Sequence, residues 1–260
     1  NMVRAIKSVS VERGRDPAEF VLMVFGGAGP IHAAGVAREL GIKRVMVPPA
    51  PGVFSAFGLL RADVEQHAAR TILTSSSDLD LAALNAVFAQ MRAELTGILV
   101  DEGYTADAVS VTAHVDMRYR GQSSEITVSL QQFPVTEAEV RLAEQRFEEE
   151  FERTYGHRGQ SKAFELVTAR LIASVARHAD ASGGWADDRP VTGAAAQRSL
   201  YFGQDHGQVS TPVIGRADLT PQPRSGPLVV HEYDTSVIVP PGCSASLDSH
   251  GNIVIDVHYG

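Results

Sequence analysis

In the first 50 residues, a continuous apolar run lies between two segments whose hydrophobic positions have helical spacing. The first ten residues have helical spacing, and residues 20–25 (FVLMVF) are all apolar. A run of this length is typical of a strand covered on both faces. Residues 30–40 again show helical spacing, Gly41 ends that helix, and residues 44–47 resume as a strand. The pattern predicts a strand-helix-strand unit with parallel strands and a right-handed crossover.

Two further helices are predicted in the stretch that follows. Residues 53–67 favour a helix, although Gly58 weakens the pattern. From Asp80, apolar residues recur every three or four positions until Gly103, which predicts a long amphipathic helix. The apolar positions of this helix are Leu84, Phe88, Met91, Leu95 and Ile98.

Strict alternation of apolar and polar residues takes over at residues 109–120. Together with the alternation at residues 126–130, it predicts a two-stranded antiparallel hairpin. Thr136 and Glu139 have the spacing of a capping box, which predicts a helix that begins at this point. Residues 165–177 favour a long strand, and the residues after them predict a linker followed by short strands.

These elements indicate an α/β (α+β) protein with three segments. We expect residues 1–74 to form one domain and residues 75–180 to form a mixed region of helices and a β-hairpin. Residues 181–260 then contain a linker and a β-rich C-terminal region. A polar stretch around residues 74–78 (TSSSD) separates the first segment from the second.

Composition narrows the class of partner. The 260 residues have a hydrophobic content of 44%, which is enough for a sizeable core, and a net charge of −8. We find no block of lysine and arginine residues, so we expect no nucleic-acid partner. Apolar runs are shorter than a membrane span needs, and the lone Cys243 fits a reducing compartment as a small apolar core residue. We therefore expect a cytoplasmic protein with no membrane partner.

The glycine turn after the first strand is the first candidate site. Unpaired main-chain N–H groups and the positive end of a helix dipole favour phosphate, and glycine lets the backbone approach closely. Gly26, Gly27 and Gly29 have these properties, and His32 lies within the first turn of the helix. The spacing matches neither a Walker A loop nor a dinucleotide fingerprint. From the residues alone, nucleotide contact and a plain tight turn both stay open.

A second candidate site lies on the polar side of the predicted hairpin. His114, Asp116 and Arg118 share one face, and Glu125 lies on the partner strand. Alternate strand positions place imidazole and carboxylate groups side by side, as an acid-base or metal cluster needs. A solvated face of a half-exposed sheet explains the same pattern. We predict no metal site and assign no catalytic residue.

Four segments, in order, resemble the hydantoinase A/5-oxoprolinase family. They are residues 24–63, 116–128 (DMRYRGQSSEITV), 151–158 (FERTYGHR) and 232–242 (EYDTSVIVPPG). The resemblance covers nearly the whole chain and implies the closing part of an actin/Hsp70-like ATPase lobe, followed by the family's C-terminal region. It implies that Gly26 and Gly27 contact the adenosine and the α-phosphate, with Gly29 and Pro30 shaping the turn.

The resemblance also implies an activity. Members use ATP, with Mg, to activate a lactam or imide ring for opening, or to activate a ketone for carboxylation, and many pair with a hydantoinase B-type subunit. The family's first phosphate loop, with its magnesium-organising acid, is absent from this sequence, so we expect the segment alone to be inactive. The expected function is the C-terminal part of an ATP-dependent cyclic-amide hydrolase. The alternatives are an acetone-carboxylase-like subunit and a non-catalytic assembly module.

Overall fold

The computed structural model describes residues 1–159, 163–177 and 196–258. The helices are α1 (Met2–Val9), α2 (Gly29–Leu40), α3 (Phe54–Arg61), α4 (Leu81–Asp101) and α5 (Glu137–Tyr155). The first six strands are β1 (Leu22–Met23), β2 (Arg44–Val47), β3 (Val64–Ser75), β4 (Val109–Tyr119), β5 (Ile126–Leu130) and β6 (Phe164–Val175). The remaining strands are β7 (Ala196–Tyr201), β8 (Gln208–Gly215), β9 (Arg224–Ser225), β10 (Leu228–His231), β11 (Ser236–Val239), β12 (Cys243–Leu247) and β13 (Ile253–Val257).

The helices and sheets of the described residues confirm the predicted α/β class. The chain forms two compact units. The first unit joins Asn1–Arg61 with Ala179–Gly260, and the second unit is Ala62–His178. In the described residues, none of the helices has both the length and the apolar character needed to cross a lipid bilayer.

The first unit contains two sheets. One has the strand order β1-β2-β13-β12-β9, in which β1 and β2 are parallel and β13 pairs antiparallel with β2. The other has the order β11-β10-β8-β7. The predicted strand-helix-strand unit is present, because α2 connects β1 to β2, begins with a proline in its first turn, and ends at Gly41 in the left-handed conformation. Cys243 is buried on β12, as expected.

The second unit is an antiparallel sheet in the order β3-β6-β4-β5. Its core is formed by one face of this sheet together with α4 and α5. Asp80 caps α4 through the amides of Ala82 and Ala83, and the predicted hairpin of β4 and β5 is present. Of the five predicted core positions of α4, Ile98 is exposed, and Leu99 is buried in its place.

Three further sequence-based expectations differ from the structure. In the 20–25 run, the described strand is limited to Leu22–Met23 at a sheet edge, and Phe20, Val21, Met23 and Phe25 are 44–49% exposed. The predicted helix over residues 53–67 ends at Arg61, because β3 begins at Val64 and pairs with β6. Thr136 accepts from the Glu139 amide, but the Glu139 carboxylate bonds elsewhere, so half of the capping box forms.

The compact units are grouped differently from the three predicted segments. The boundary expected after residue 74 falls inside β3, which pairs with β6 along most of its length and therefore belongs to the second unit. The segments 1–74 and 181–260 were expected to be separate, but β13 pairs with β2, which joins the two ends of the chain in one unit. Most of the predicted linker, residues 180–197, lies outside the described residues.

Candidate functional site

The glycine turn, residues 26–29, follows β1 and includes Gly29, the first residue of α2. Gly26 has a φ of +88°, a conformation that residues with a side chain rarely adopt, so the turn needs glycine at this position. The Gly26 amide donates to the Pro51 carbonyl oxygen at 2.7 Å. This N–H is therefore engaged within the protein, and the nucleotide contact expected for Gly26 stays a prediction.

Two other segments hold the turn. The Thr235 hydroxyl donates to the Gly27 carbonyl oxygen at 2.7 Å, from the 232–235 turn between β10 and β11. The neighbouring Asp234 carboxylate accepts from the Gly52 amide at 2.7 Å. A Cβ atom added at Gly52 would lie 2.6 Å from an oxygen of that carboxylate, so glycine is required for this approach. The glycine turn, the proline loop (residues 48–53) and the 232–235 turn therefore form one hydrogen-bonded cluster.

Three consecutive amides of the glycine turn remain available. Within the described part of the chain, the N–H groups of Gly27, Ala28 and Gly29 have no acceptor. Ala28 is the N-cap residue of α2 and is exposed, and its side chain offers no oxygen to cap the helix. Free amides at the positive end of a helix dipole attract anions, and phosphate above all. His32 is exposed in the first turn of the same helix.

Arg216 contacts the proline loop at its first residue, Pro48. It forms two hydrogen bonds of 2.8 Å to the Glu232 carboxylate, and both side chains are largely buried. Its remaining N–H groups donate to the carbonyl oxygens of Val47, Pro48 and Gly251. The guanidinium therefore links the end of β2 to the β12–β13 connection and to the residue that opens the 232–235 turn.

Sequence reasoning missed Asp234, Thr235 and Arg216. Their partners in the glycine turn and the proline loop lie about 170–210 residues away along the chain, and no local pattern marks such a contact. One signal was present, because residues 232–242 form one of the four segments that resemble the family.

In the structure, Asp116 and Arg118 of the second candidate site bond to different partners. Asp116 is 2% exposed and accepts from Thr127 at 2.7 Å and from Arg170 at 2.7 Å. Arg118 instead pairs with Glu165 at 2.8 Å. Asp116 and Arg118 are therefore held by different partners on the sheet, and a buried Asp116 does not fit a solvated face.

His114 lines a shallow depression of about 250 Å³ on the open face of the second unit's sheet. Arg170 pairs directly with His114 across β4 and β6, and His67 and Thr127 contribute to the rim. No group of three or more histidine, cysteine, aspartate or glutamate side chains in the described residues is arranged to hold a metal ion. The depression offers polar groups without a ligand set for a metal.

Comparison with known proteins identifies the family. Residues 1–68 match the hydantoinase/oxoprolinase profile, and residues 75–255 match the profile of the hydantoinase/oxoprolinase C-terminal domain. The chain belongs to the hydantoinase/oxoprolinase family. The resemblance of the four sequence segments is thereby confirmed.

Individual relatives are similar to this protein over nearly the whole of its chain. It is 33% identical to an uncharacterised protein of Methanocaldococcus jannaschii over 98% of the chain, and 28% identical to the caprolactamase alpha subunit of Pseudomonas jessenii over 95%. It is 27% identical to the acetone carboxylase beta subunit of Xanthobacter autotrophicus over 94%. The chain spans 36% of each of these relatives.

The fold agrees with a solved structure. The crystal structure of the ATP-dependent caprolactamase from Pseudomonas jessenii superposes with a TM-score of 0.83 at 28% identity, covering 98% of this chain and 38% of that one. The glycine turn of this chain therefore belongs to a fold that is also found in an ATP-dependent caprolactamase.

Proposed function

We propose that this chain supplies the nucleotide-contacting C-terminal part of an ATP-dependent cyclic-amide hydrolase. The observation that carries the proposal is the row of three unpaired amides at Gly27, Ala28 and Gly29, at the start of α2. The row fits phosphate oxygens because Gly27 and Ala28 are exposed, no side chain caps the helix in competition, and the row lies at the positive end of a 12-residue helix.

The residues present fit a phosphate group but supply few other parts of an ATPase. ATP would convert the amide oxygen of the ring into a phosphorylated leaving group. In this chain the amides of the glycine turn would hold and orient a phosphate oxygen, and the Thr235 and Pro51 contacts would keep the turn rigid. In keeping with the family resemblance, we expect the residues that bind Mg to lie mostly outside this segment, and we expect the isolated segment to be inactive.

A matched pair of substitutions at Ala28 tests the phosphate site in the full-length gene product. Ala28→Asp places a carboxylate beside the free amides, where it competes for them and repels phosphate. Ala28→Asn has nearly the same shape without the charge. We expect Ala28→Asp to weaken binding of the ATP analogue AMP-PNP about tenfold or more relative to Ala28→Asn, because like charges a few ångströms apart repel strongly near a protein surface.

Amide chemical shifts provide a second measurement. AMP-PNP should shift the amide signals of Gly27, Ala28 and Gly29, and leave the signal of Gly35, on the exposed side of α2, nearly unchanged. If the three signals do not move, or if the aspartate and asparagine variants bind equally well, the turn is structural and the assembly-module alternative is favoured.

The substrate class separates the two catalytic alternatives. Similarity to an acetone carboxylase beta subunit keeps ketone activation as the second candidate. ATP hydrolysis by the full-length gene product should rise with a lactam or imide such as 5-oxoproline or hydantoin. A rise with acetone and bicarbonate instead would identify a carboxylase. Subunit names among the relatives also support a multi-subunit enzyme, and we propose a hydantoinase B-type chain as the partner.

A further inference from the structure

We propose that Thr235 is a positioning residue for the nucleotide site, and this inference rests on the proposed function. Thr235 lies more than 200 residues from the glycine turn and is 8% exposed. Its hydroxyl donates to the Gly27 carbonyl oxygen at 2.7 Å, the usual distance for a well-formed O–H···O bond.

This hydrogen bond sets the direction of the amide beyond it. The peptide bond between Gly27 and Ala28 is trans, so its carbonyl oxygen and its N–H point in opposite directions. Because Thr235 fixes the carbonyl, it also directs the Ala28 N–H away from the 232–235 turn, toward the open side of the glycine turn. That N–H is the middle one of the three unpaired amides.

Glycine makes this external support necessary. A peptide flanked by glycine on its N-terminal side rotates more freely than others, and here Gly26 and Gly27 precede it. Without a bond to its carbonyl, the Gly27–Ala28 peptide can reorient and present an oxygen, which repels phosphate, in place of the N–H. The Thr235 hydroxyl therefore keeps the site in its anion-binding orientation before the ligand arrives.

The 232–235 turn is itself anchored to the opposite side of the cluster. The Glu232 amide donates to the Thr235 carbonyl oxygen at 3.0 Å, and Asp234 accepts from the Gly52 amide. Thr235 is thus held by the same short turn that fixes the proline loop. A rigid mount of this kind is what a positioning residue needs.

The test compares three variants of the full-length gene product by calorimetric titration with AMP-PNP. Thr235→Val keeps the shape and removes the donor, and we expect about tenfold weaker binding from the loss of one hydrogen bond. Thr235→Ser keeps the hydroxyl and should bind within about threefold of the wild type. The control is Thr211→Val, because Thr211 is buried in the same unit and also donates to a main-chain carbonyl, that of Val209 at 3.0 Å.

A merely structural role predicts a loss of stability without a specific loss of nucleotide affinity, whereas a positioning role predicts both. Thr211→Val and Thr235→Val each remove one hydroxyl-to-carbonyl bond, so both should lower the melting temperature by a similar amount. Thr235→Val alone should lose nucleotide affinity and shift the Ala28 amide signal of the free protein. If Thr235→Val does not fold, Thr235→Ala against Thr211→Ala gives the same comparison.

The outcomes separate the inference from the proposed function. Wild-type affinity in Thr235→Val, or an equal loss in Thr211→Val, overturns the positioning role while nucleotide binding by the wild type stands. A wild-type protein that does not bind AMP-PNP contradicts the proposed function, and the inference falls with it. Loss in Thr235→Val with retention in Thr235→Ser and Thr211→Val supports both.

Discussion

Replacing Arg216 with methionine should destabilise the first unit by about 3–5 kcal/mol, the range for breaking a buried ion pair by removing one partner. The substitution keeps much of the side-chain volume and removes the charge. Glu232 is 9% exposed and would be left as a buried carboxylate without its cation. The carbonyl oxygens of Val47, Pro48 and Gly251 would lose their donor at the same time.

The double variant Arg216→Met/Glu232→Leu separates these contributions. It removes the stranded carboxylate, so it should be more stable than Arg216→Met by roughly 2 kcal/mol, since an apolar pair of similar volume often replaces a buried ion pair at little cost. Glu232→Leu alone should be destabilised as well, because the guanidinium would then be left without its counter-ion.

Urea unfolding with amide hydrogen exchange measures the effect in each unit. Amides of β2 and β10 report on the first unit, and amides of α4 in the second unit serve as the internal reference. A loss below about 1 kcal/mol for Arg216→Met, as in exposed ion pairs, would refute the reasoning. A double variant less stable than Arg216→Met would refute it as well.

Two further predictions concern the second unit. Burial raises the pKa of Glu139, but hydrogen bonds from Arg146 and the Gln131 amide outweigh burial and hold this pKa below its ordinary value of 4.5. The ionised form therefore stabilises the unit above about pH 4.5, and that stabilisation is lost as the pH falls further, so Glu139→Gln should flatten the acid side of a stability-pH profile; an unchanged profile would contradict this. Phe147→Ala should cost about 3–5 kcal/mol in urea unfolding, because Phe147 is fully buried with its ring 5.0 Å from that of Tyr119; a loss near zero would exclude this packing.

Local periodicity predicted the elements whose inward positions are uniformly apolar. The helix α4 and the hairpin of β4 and β5 are of this kind, because a repeat of 3.6 or 2 residues is visible without knowing the partner. The apolar run at residues 20–25 misled for the opposite reason. Its composition suggested cover on two faces, but β1 is a sheet edge within the described residues.

In strand β3, polar residues at inward positions interrupt the two-residue alternation by which a strand is recognised. Val64 and Ala68 are four residues apart, as on a helix, and Gln66 and Arg70 occupy the alternate inward positions between and beyond them. Gln66 bonds to Glu102 and Arg70 bonds to Glu94 on the α4 side of the sheet, at 3.0 and 2.8 Å. Alternation of apolar and polar residues was therefore lost, and a helix was predicted instead.

For the candidate site, the glycine turn was recognisable because its glycines lie next to one another in the sequence. The sequence does not show which of these glycines has an engaged N–H group and which has a free one. Whether an amide is engaged depends on Pro51, and whether a peptide is oriented depends on Thr235, and both are set by the tertiary fold. Sequence patterns identify a turn able to approach phosphate, whereas the structure identifies which N–H groups are free to do so.

The position of β13 between β2 and β12 has a consequence for biosynthesis. About 200 residues separate β2 from β13, so at translation speeds of about 5–20 residues per second the ribosome delivers the pairing strand roughly 10–40 s after the strand it joins. For most of that interval the nascent glycine turn also lacks Thr235 and Asp234. The β2 edge that β13 later covers is unpaired during this period, and synonymous codon changes that slow the ribosome after β2 would lengthen it.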